Sequence, residues 1–447
     1  MVEWNIYTDS LRNFDEKGDL MDWTVFEEKI HQRMKEEHIP GVAIAVSKDG
    51  HIVYEKGFGV RDFETKRPVT PETIFGTASV TKSFTALAIM KLADDGKLSV
   101  TDSVKTYLPS FDIQGIDPIE DIKIHHLLTH TTGLAPMERH EEFNQFHEHV
   151  TYLKEKKHDL LGKPGAFFSY SNDAFLLLGA IIERVTGRLY RRYMTEEILN
   201  PLKMNRSTFS IEEVQKMCNV SVLYVYDKAK KQHEKQDWPG LGNYEVGGGI
   251  RSSVRDLLKY GALYLNEGKI GKKQFITGKS LEKMYHPQVR IDPNTAYGFG
   301  LKVTGNYHGT TLIEHSGGQP GVASNFGFLP KKDICVAVLT NVSGATAGDI
   351  WLEAVNTVLG LPLETKRSKL PEEEVVSEEN RQRFIGKFSS KEGQEITIAT
   401  REDSLIAKLE GEVHFLKIIG EDLLVIKETE KPIRFFFNEE KEAWAIF

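Results

Sequence analysis

Residues 84–92 (Phe-Thr-Ala-Leu-Ala-Ile-Met-Lys-Leu) are apolar on nearly every side of a helix. That pattern belongs to a helix enclosed by other elements, so the chain must build layers around it. Two polar residues stand just ahead of the run, Ser79 and Lys82. Ser79 falls at the helix N-terminus, where free backbone N–H groups and the positive dipole end favour developing negative charge. Lys82 lies about one turn on, on the same face, within reach of the Ser79 hydroxyl. A lysine held in apolar surroundings tends to lose its proton, which a general base requires. The pair suits a serine nucleophile.

Ser-x-x-Lys alone does not decide the matter. Ser280-Leu-Glu-Lys283 has the same spacing in a polar, Lys-rich stretch beside Gly278, and reads as a helix cap with an exposed lysine. Tyr170-Ser-Asn172 is a second candidate, at the junction of an aromatic loop and the apolar helix that follows. There a phenol can pass a proton and an amide can hold a substrate carbonyl. It too has a double, Tyr264-Leu-Asn266, inside a helical run where Tyr264 reads as core and Asn266 as a C-terminal cap. The third candidate is His315-Ser-Gly-Gly318, reached from an extended apolar approach, where glycines let backbone and ligand come close.

The surrounding chain reads as an α/β (α+β) domain. Residues 24–39 form an amphipathic helix, followed by strands 41–47 and 51–60 around the turn Lys48-Asp-Gly50. Buried strands recur at 326–329 and 334–340, and a helix at 350–359 closes the domain. One sheet is therefore expected from its two ends, with an inserted helical lobe over residues 97–250. Within that lobe His126 and His130 stand four apart, but no third ligand or intervening acid accompanies them, so a structural role is favoured and no metal is expected. Residues 137–160 carry His140, His147, His149 and His158 among Glu and Lys, the composition of a solvated, lid-like segment.

A formal net charge of −8 shows no basic excess, which disfavours nucleic acid and anionic membranes as partners. No apolar run approaches the ~20 residues of a membrane span. The first residues have neither a basic nor an apolar leader pattern, and Cys218 and Cys335 read as buried thiols of a reducing compartment, so a cytoplasmic location is expected. Residues 363–381, rich in Lys, Arg and Glu around Pro371, read as a charged linker. Beyond it, over 382–447, seven or eight short alternating runs separated by Gly393, Gly411, Gly420 and Asn438 point to a compact antiparallel barrel.

Taken in order, Ser79-x-x-Lys82, Tyr170-Ser-Asn172 and His315-Ser-Gly317 resemble the motifs of the serine β-lactamase and penicillin-binding-protein superfamily. The class C-like branch, with its D-aminopeptidases, D,D-peptidases and esterases, is the most similar. The stretches His126–Leu134, Pro201–Phe209 and Gly247–Leu257 share the resemblance, which covers residues 20–362. The doubles of the first two motifs fail because they run in reverse order and lack a third partner.

The resemblance implies an antiparallel sheet with a helical lobe, residues 1–362 as catalytic domain, and a lipocalin-like barrel. It implies a serine peptidase or esterase that needs no cofactor. Ser79 would be acylated and Lys82 would take its proton. Tyr170 would protonate the leaving group, Asn172 would hold the substrate amide, and the N–H groups of Ser79 and Gly318 would form the oxyanion hole. Many members carry Lys-Thr-Gly where this chain has His315-Ser-Gly317. A neutral histidine there disfavours β-lactams and free C-terminal carboxylates as substrates. His315 then either joins the proton network of Tyr170 and Lys82 or is a spacer on its strand. The layout is also similar to archaeal peptidases that compartmentalise themselves by assembly, which implies a homo-oligomer acting on small peptides or esters.

Overall fold

The computed structural model describes residues 22–367, 372–374, 376–389, 395–402, 404–409, 411–429, 431–438 and 442–446. Its centre is an eight-stranded antiparallel sheet built from both ends of the larger unit. The strands are β1 (Gly41–Lys48), β2 (His51–Gly59), β3 (Val289–Arg290), β4 (Thr295–Tyr297), β5 (Lys302–Tyr307), β6 (Thr310–Gln319), β7 (Val322–Leu329) and β8 (Ile334–Thr340). Their order is β2-β1-β8-β7-β6-β5-β4-β3. The turn between β1 and β2 uses Asp49 and Gly50, both at positive φ, which matches the twist of a tight hairpin.

The central strands are buried on both faces, and their period of two splits the core cleanly. Val42, Ile44, Val46, Val336 and Val338 face helices α1 (Thr24–Glu36) and α5 (Ala347–Val358). Ala43, Ala45, Cys335, Ala337 and Leu339 face the helical lobe. That second face receives α2 (Thr81–Asp94), α3 (Asn172–Thr186) and α4 (Val254–Leu265). From Thr81 to Met90 helix α2 is buried on all sides, including its polar residues. Thr81 accepts from the Ile250 N–H, while Thr85 donates to the Val246 carbonyl. Val246 and Ile250, on either side of the glycines 247–249, thus lie along the helix and bond its hydroxyls.

Close packing of α4 on the sheet depends on Gly261. A Cβ added there would lie 2.1 Å from the Cys335 sulfur. Gly261→Ala is therefore expected to cost about 1–3 kcal/mol, read as a lowered midpoint in urea. Adding Cys335→Ala should recover most of the loss, because it removes the sulfur the new methyl meets.

Several expectations need correction. The lobe is not purely helical, since Leu223–Asp227 pairs with Gln232–Gln236 as a hairpin. The 137–160 segment is not a solvated lid: it contains the helix Phe146–Glu155, and His149 and His158 are buried. Cys335 is buried, but Cys218 is exposed. Thr277, not Ser280, caps the helix Gly278–Tyr285, and Ser280 instead donates to Asp94. The charged linker is anchored, because Arg367 binds buried Glu314 and residues Glu378–Gln382 form a helical turn.

The C-terminal strands are β9 (Gly386–Ser389), β10 (Glu395–Arg401), β11 (Ser404–Leu409), β12 (Glu412–Gly420), β13 (Leu423–Ile426), β14 (Pro432–Phe437) and β15 (Ala443–Ile446). They pair in chain order into a nearly closed barrel around Phe384, Ile398, Leu405, Leu416, Leu424 and Phe435. Gly393 lies outside the described residues. Among the described residues no helix is long and apolar enough to cross a membrane.

Candidate active site

Ser79 sits in a single 3-10 turn, Ala78–Val80, that leads into α2. A strand and a loop fix this turn. Ser324 on β7 donates to the Thr77 carbonyl at 2.7 Å, and the Thr77 hydroxyl donates to Ile250 at 2.9 Å. Ala78 has φ +45°, a left-handed conformation that is strained for a residue with a Cβ. Strain of this kind, next to a half-buried serine, is typical of functional sites.

Lys82 is fully buried one turn later. Its Nζ lies 3.1 Å from Ser79 Oγ, 2.8 Å from Asn172 Oδ1 and 3.1 Å from the Gly247 carbonyl oxygen. The amine also lies 4.9 Å from the centre of the Tyr170 ring. Burial first, then the Arg139 guanidinium, pushes its pKa down to about 7, with Asp173 opposing. The space is tight: a Cβ on Gly247 would stand 3.0 Å from Nζ. Burial thus favours the neutral amine, and a neutral amine is a base.

Tyr170 is held between Lys82 and His130. Burial raises the phenol well above its ordinary pKa; Ser79 opposes that rise. The hydroxyl nevertheless makes no hydrogen bond of good geometry, so it is a buried proton donor without a settled acceptor. Asn172, the first residue of α3, reaches Lys82 because the Ser171 side chain caps that helix on Ala174 N.

His315 stands on β6, and its ring centre is 6.3 Å from that of Tyr170. Its Nδ1 is 2.6 Å from the Ser316 carbonyl, which only accepts, so Nδ1 carries the proton. Its Nε2 accepts from the Tyr297 hydroxyl at 2.9 Å. Burial, then Lys82, pushes the imidazole down to about 3, leaving it neutral. Both ring nitrogens are therefore engaged away from Ser79, Lys82 and Tyr170. On the same strand, a Cβ at Gly317 would lie 3.0 Å from Ser79 N, so the backbones touch only because that residue is glycine. Gly318 is exposed, with open space beside it.

The structure thus brings Ser79, Lys82, Tyr170 and Asn172 into one cluster, with Gly317 and Gly318 at its edge and His315 behind. Sequence reasoning missed the Gly247 carbonyl and Tyr297. Nothing local marks Tyr297, whereas a glycine triplet in a helical lobe does signal a close approach. The Ser280/Lys283 and Tyr264/Asn266 doubles stay apart from the cleft. Tyr264 is buried against Tyr260, and Asn266 is the C-cap of α4.

The family model described as Beta-lactamase matches residues 26–356. Over 326 residues the chain is 30% identical to Protein flp of Staphylococcus aureus, a match that covers 70% of this chain and 62% of that protein. The chain therefore spans less than two thirds of the length of that relative. It is 25% identical over 407 residues to Penicillin-binding protein 4* of Bacillus subtilis, covering 86% of this chain and 87% of that one. The octameric penicillin-binding protein homologue from Pyrococcus abyssi superposes with a TM-score of 0.72 at 30% identity, covering 94% of this chain and 97% of that one.

Proposed function

The chain belongs to the Beta-lactamase family, and on that premise we propose that it is a serine hydrolase cleaving amide bonds of small peptides, D-residues among them, through an acyl-enzyme on Ser79. The observation that carries this reading is the buried Lys82 amine, 3.1 Å from Ser79 Oγ, with its pKa near 7. Lys82 takes the proton as Ser79 Oγ bonds to the carbonyl carbon. Tyr170 gives a proton to the departing amine and regains one from protonated Lys82, and the N–H groups of Ser79 and Gly318 hold the oxyanion. Water then attacks the ester, one of its protons passing through the same bases to Ser79 Oγ as the acid leaves. Asn172 fixes Lys82 and faces the substrate amide.

Intact-protein mass spectrometry with a fluorophosphonate probe tests the assignment. Wild type should gain one adduct, and Ser79→Ala should gain none. Should no adduct form, a small boronic acid serves as the second probe for an occluded site, and silence with both would sink the reading. An esterase would use the same atoms. Neutral His315, where a permanent cation would hold a carboxylate, favours substrates without one, and matched ester and amide pairs decide between the two. For the same reason β-lactams are expected to be poor substrates.

We extend the proposal to a cytoplasmic, self-compartmentalising homo-oligomer. The two free thiols, one of them exposed, accord with a reducing compartment. The octameric Pyrococcus abyssi homologue, similar over 94% of this chain, supports assembly. Size-exclusion chromatography with light scattering should give a mass several times that of one chain, and a single monomer peak would remove this part.

A further inference from the structure

We infer that His130 is a positioning residue for Tyr170, fixing the backbone on both sides of its phenol. The Ser169 N–H donates to the His130 carbonyl at 2.8 Å, and the Ser171 N–H donates to His130 Nδ1 at 3.0 Å. Tyr170 lies between these two anchors, and its ring rests on the imidazole with centroids 4.3 Å apart. Asn172 is held separately, by the Ser171 side chain that caps α3 on Ala174 N, so what the imidazole itself sets is the approach of the phenol.

The protonation state follows from the bonds. Nδ1 accepts, so the neutral ring carries its proton on Nε2, and that atom is buried with no hydrogen-bond partner. Burial, Lys82 and His315 all disfavour a second proton. A proton on Nδ1 would face the Ser171 N–H, so the clamp exists only with a neutral ring. His130 itself has φ +56°, a conformation that His and Asn tolerate better than most residues. A buried histidine with strained backbone and an orphaned nitrogen is costly for fold alone. Its bonds go to the segment that bears the phenol, which accounts for that cost.

The inference rests on the acyl-enzyme reading, and the experiment separates the two. Phosphonylation rates of Ser79 by a fluorophosphonate, whose departing fluoride takes the Tyr170 proton as a departing amine would, are measured for His130→Gly and His130→Asn, each with Tyr170 and with Tyr170→Phe. Glycine keeps the positive φ without strain and lacks the acceptor. Asparagine keeps an acceptor oxygen where Nδ1 stands. With Tyr170 present, His130→Gly should label about 30-fold more slowly and His130→Asn within about fivefold of wild type. The loss should appear in the maximal rate and not in the half-saturating probe concentration. In the Tyr170→Phe background, His130→Gly should add less than twofold, because the phenol it positions is gone. An equal loss in both backgrounds, or an asparagine variant as slow as the glycine one, would overturn the inference. If the glycine variant does not fold, His130→Ser takes its place beside His130→Asn on the same criteria. No Ser79 adduct on wild type would instead count against the acyl-enzyme reading.

Discussion

Replacing Lys82 by Met should slow phosphonylation of Ser79 by about 10³- to 10⁴-fold and flatten its dependence on pH. On the proposed mechanism the amine must be neutral to take the serine proton, and burial brings its pKa down to about 7. The rate should therefore climb about tenfold per pH unit below that value and level off above it. A methionine has no such titration. Stability should move the other way. In the unfolded chain a lysine titrates near 10.4, so between about 7 and that value the unfolded state binds more protons and wild-type stability rises with pH. Methionine fills the same space without a buried amine, so at neutral pH the variant should melt a few degrees higher while inactive. Labelling rates from pH 5 to 9, with calorimetry on the same samples, check both arms. A methionine variant that labels at the wild-type rate would place the base elsewhere.

The second large effect concerns stability. Arg367→Met is expected to destabilise the fold by about 3 kcal/mol, as removal of one partner from a buried ion pair does. Arg367 binds Glu314 through Nε at 2.7 Å and a second nitrogen at 3.0 Å, and donates to the Gly348 carbonyl. Burial pushes the Glu314 carboxyl up, but Arg367, then Lys302 and the Asn325 bond, outweigh it and hold the pKa well below the usual range. A depressed carboxylate contributes stability above its unfolded pKa of about 4.3 and loses it as pH falls further. Wild type should therefore lose stability on acidification below about pH 4.3, and the methionine variant should lose less, having started lower. Urea midpoints at pH 7, 5 and 4 measure the difference. Arg367→Lys, which keeps charge but not the two-point geometry, should fall between them.

The cluster of Ser79, Lys82, Tyr170 and Asn172 was legible because each member sits in a short motif and the motifs keep one order. Strands β1 and β8 and the second half of β7 were legible for a related reason: they are apolar on both faces and read as nearly unbroken runs, while β2 was marked by the Lys48-Asp-Gly50 turn. The short strands β3 to β5 mix polar residues with apolar ones and carry no such signal. His149 was misread because composition averages over a helix. Its neighbours on the buried face are Val150 and Leu153, and its Nε2 lies 3.0 Å from Asp173. Arg367 was hidden in a run of charges that behaves as a linker in most chains. A lone glutamate inside the apolar stretch Leu312-Ile-Glu-His was the clue that some cation had to return to it. The Tyr297–His315 bond joins residues of strands β4 and β6, and no local spacing encodes it.

The barrel adds something the catalytic cluster lacks. Phe436 on β14 meets Phe167, three residues before Tyr170, with ring centres 5.2 Å apart, and Arg434 on the same strand donates to the Ile291 carbonyl at 3.2 Å. One strand of the smaller unit thus borders the loop that delivers the phenol, without touching Ser79 or Lys82. Substitutions on β14 would alter the loop's outer support and leave the Ser79–Lys82 contact as it stands, so the two can be varied separately.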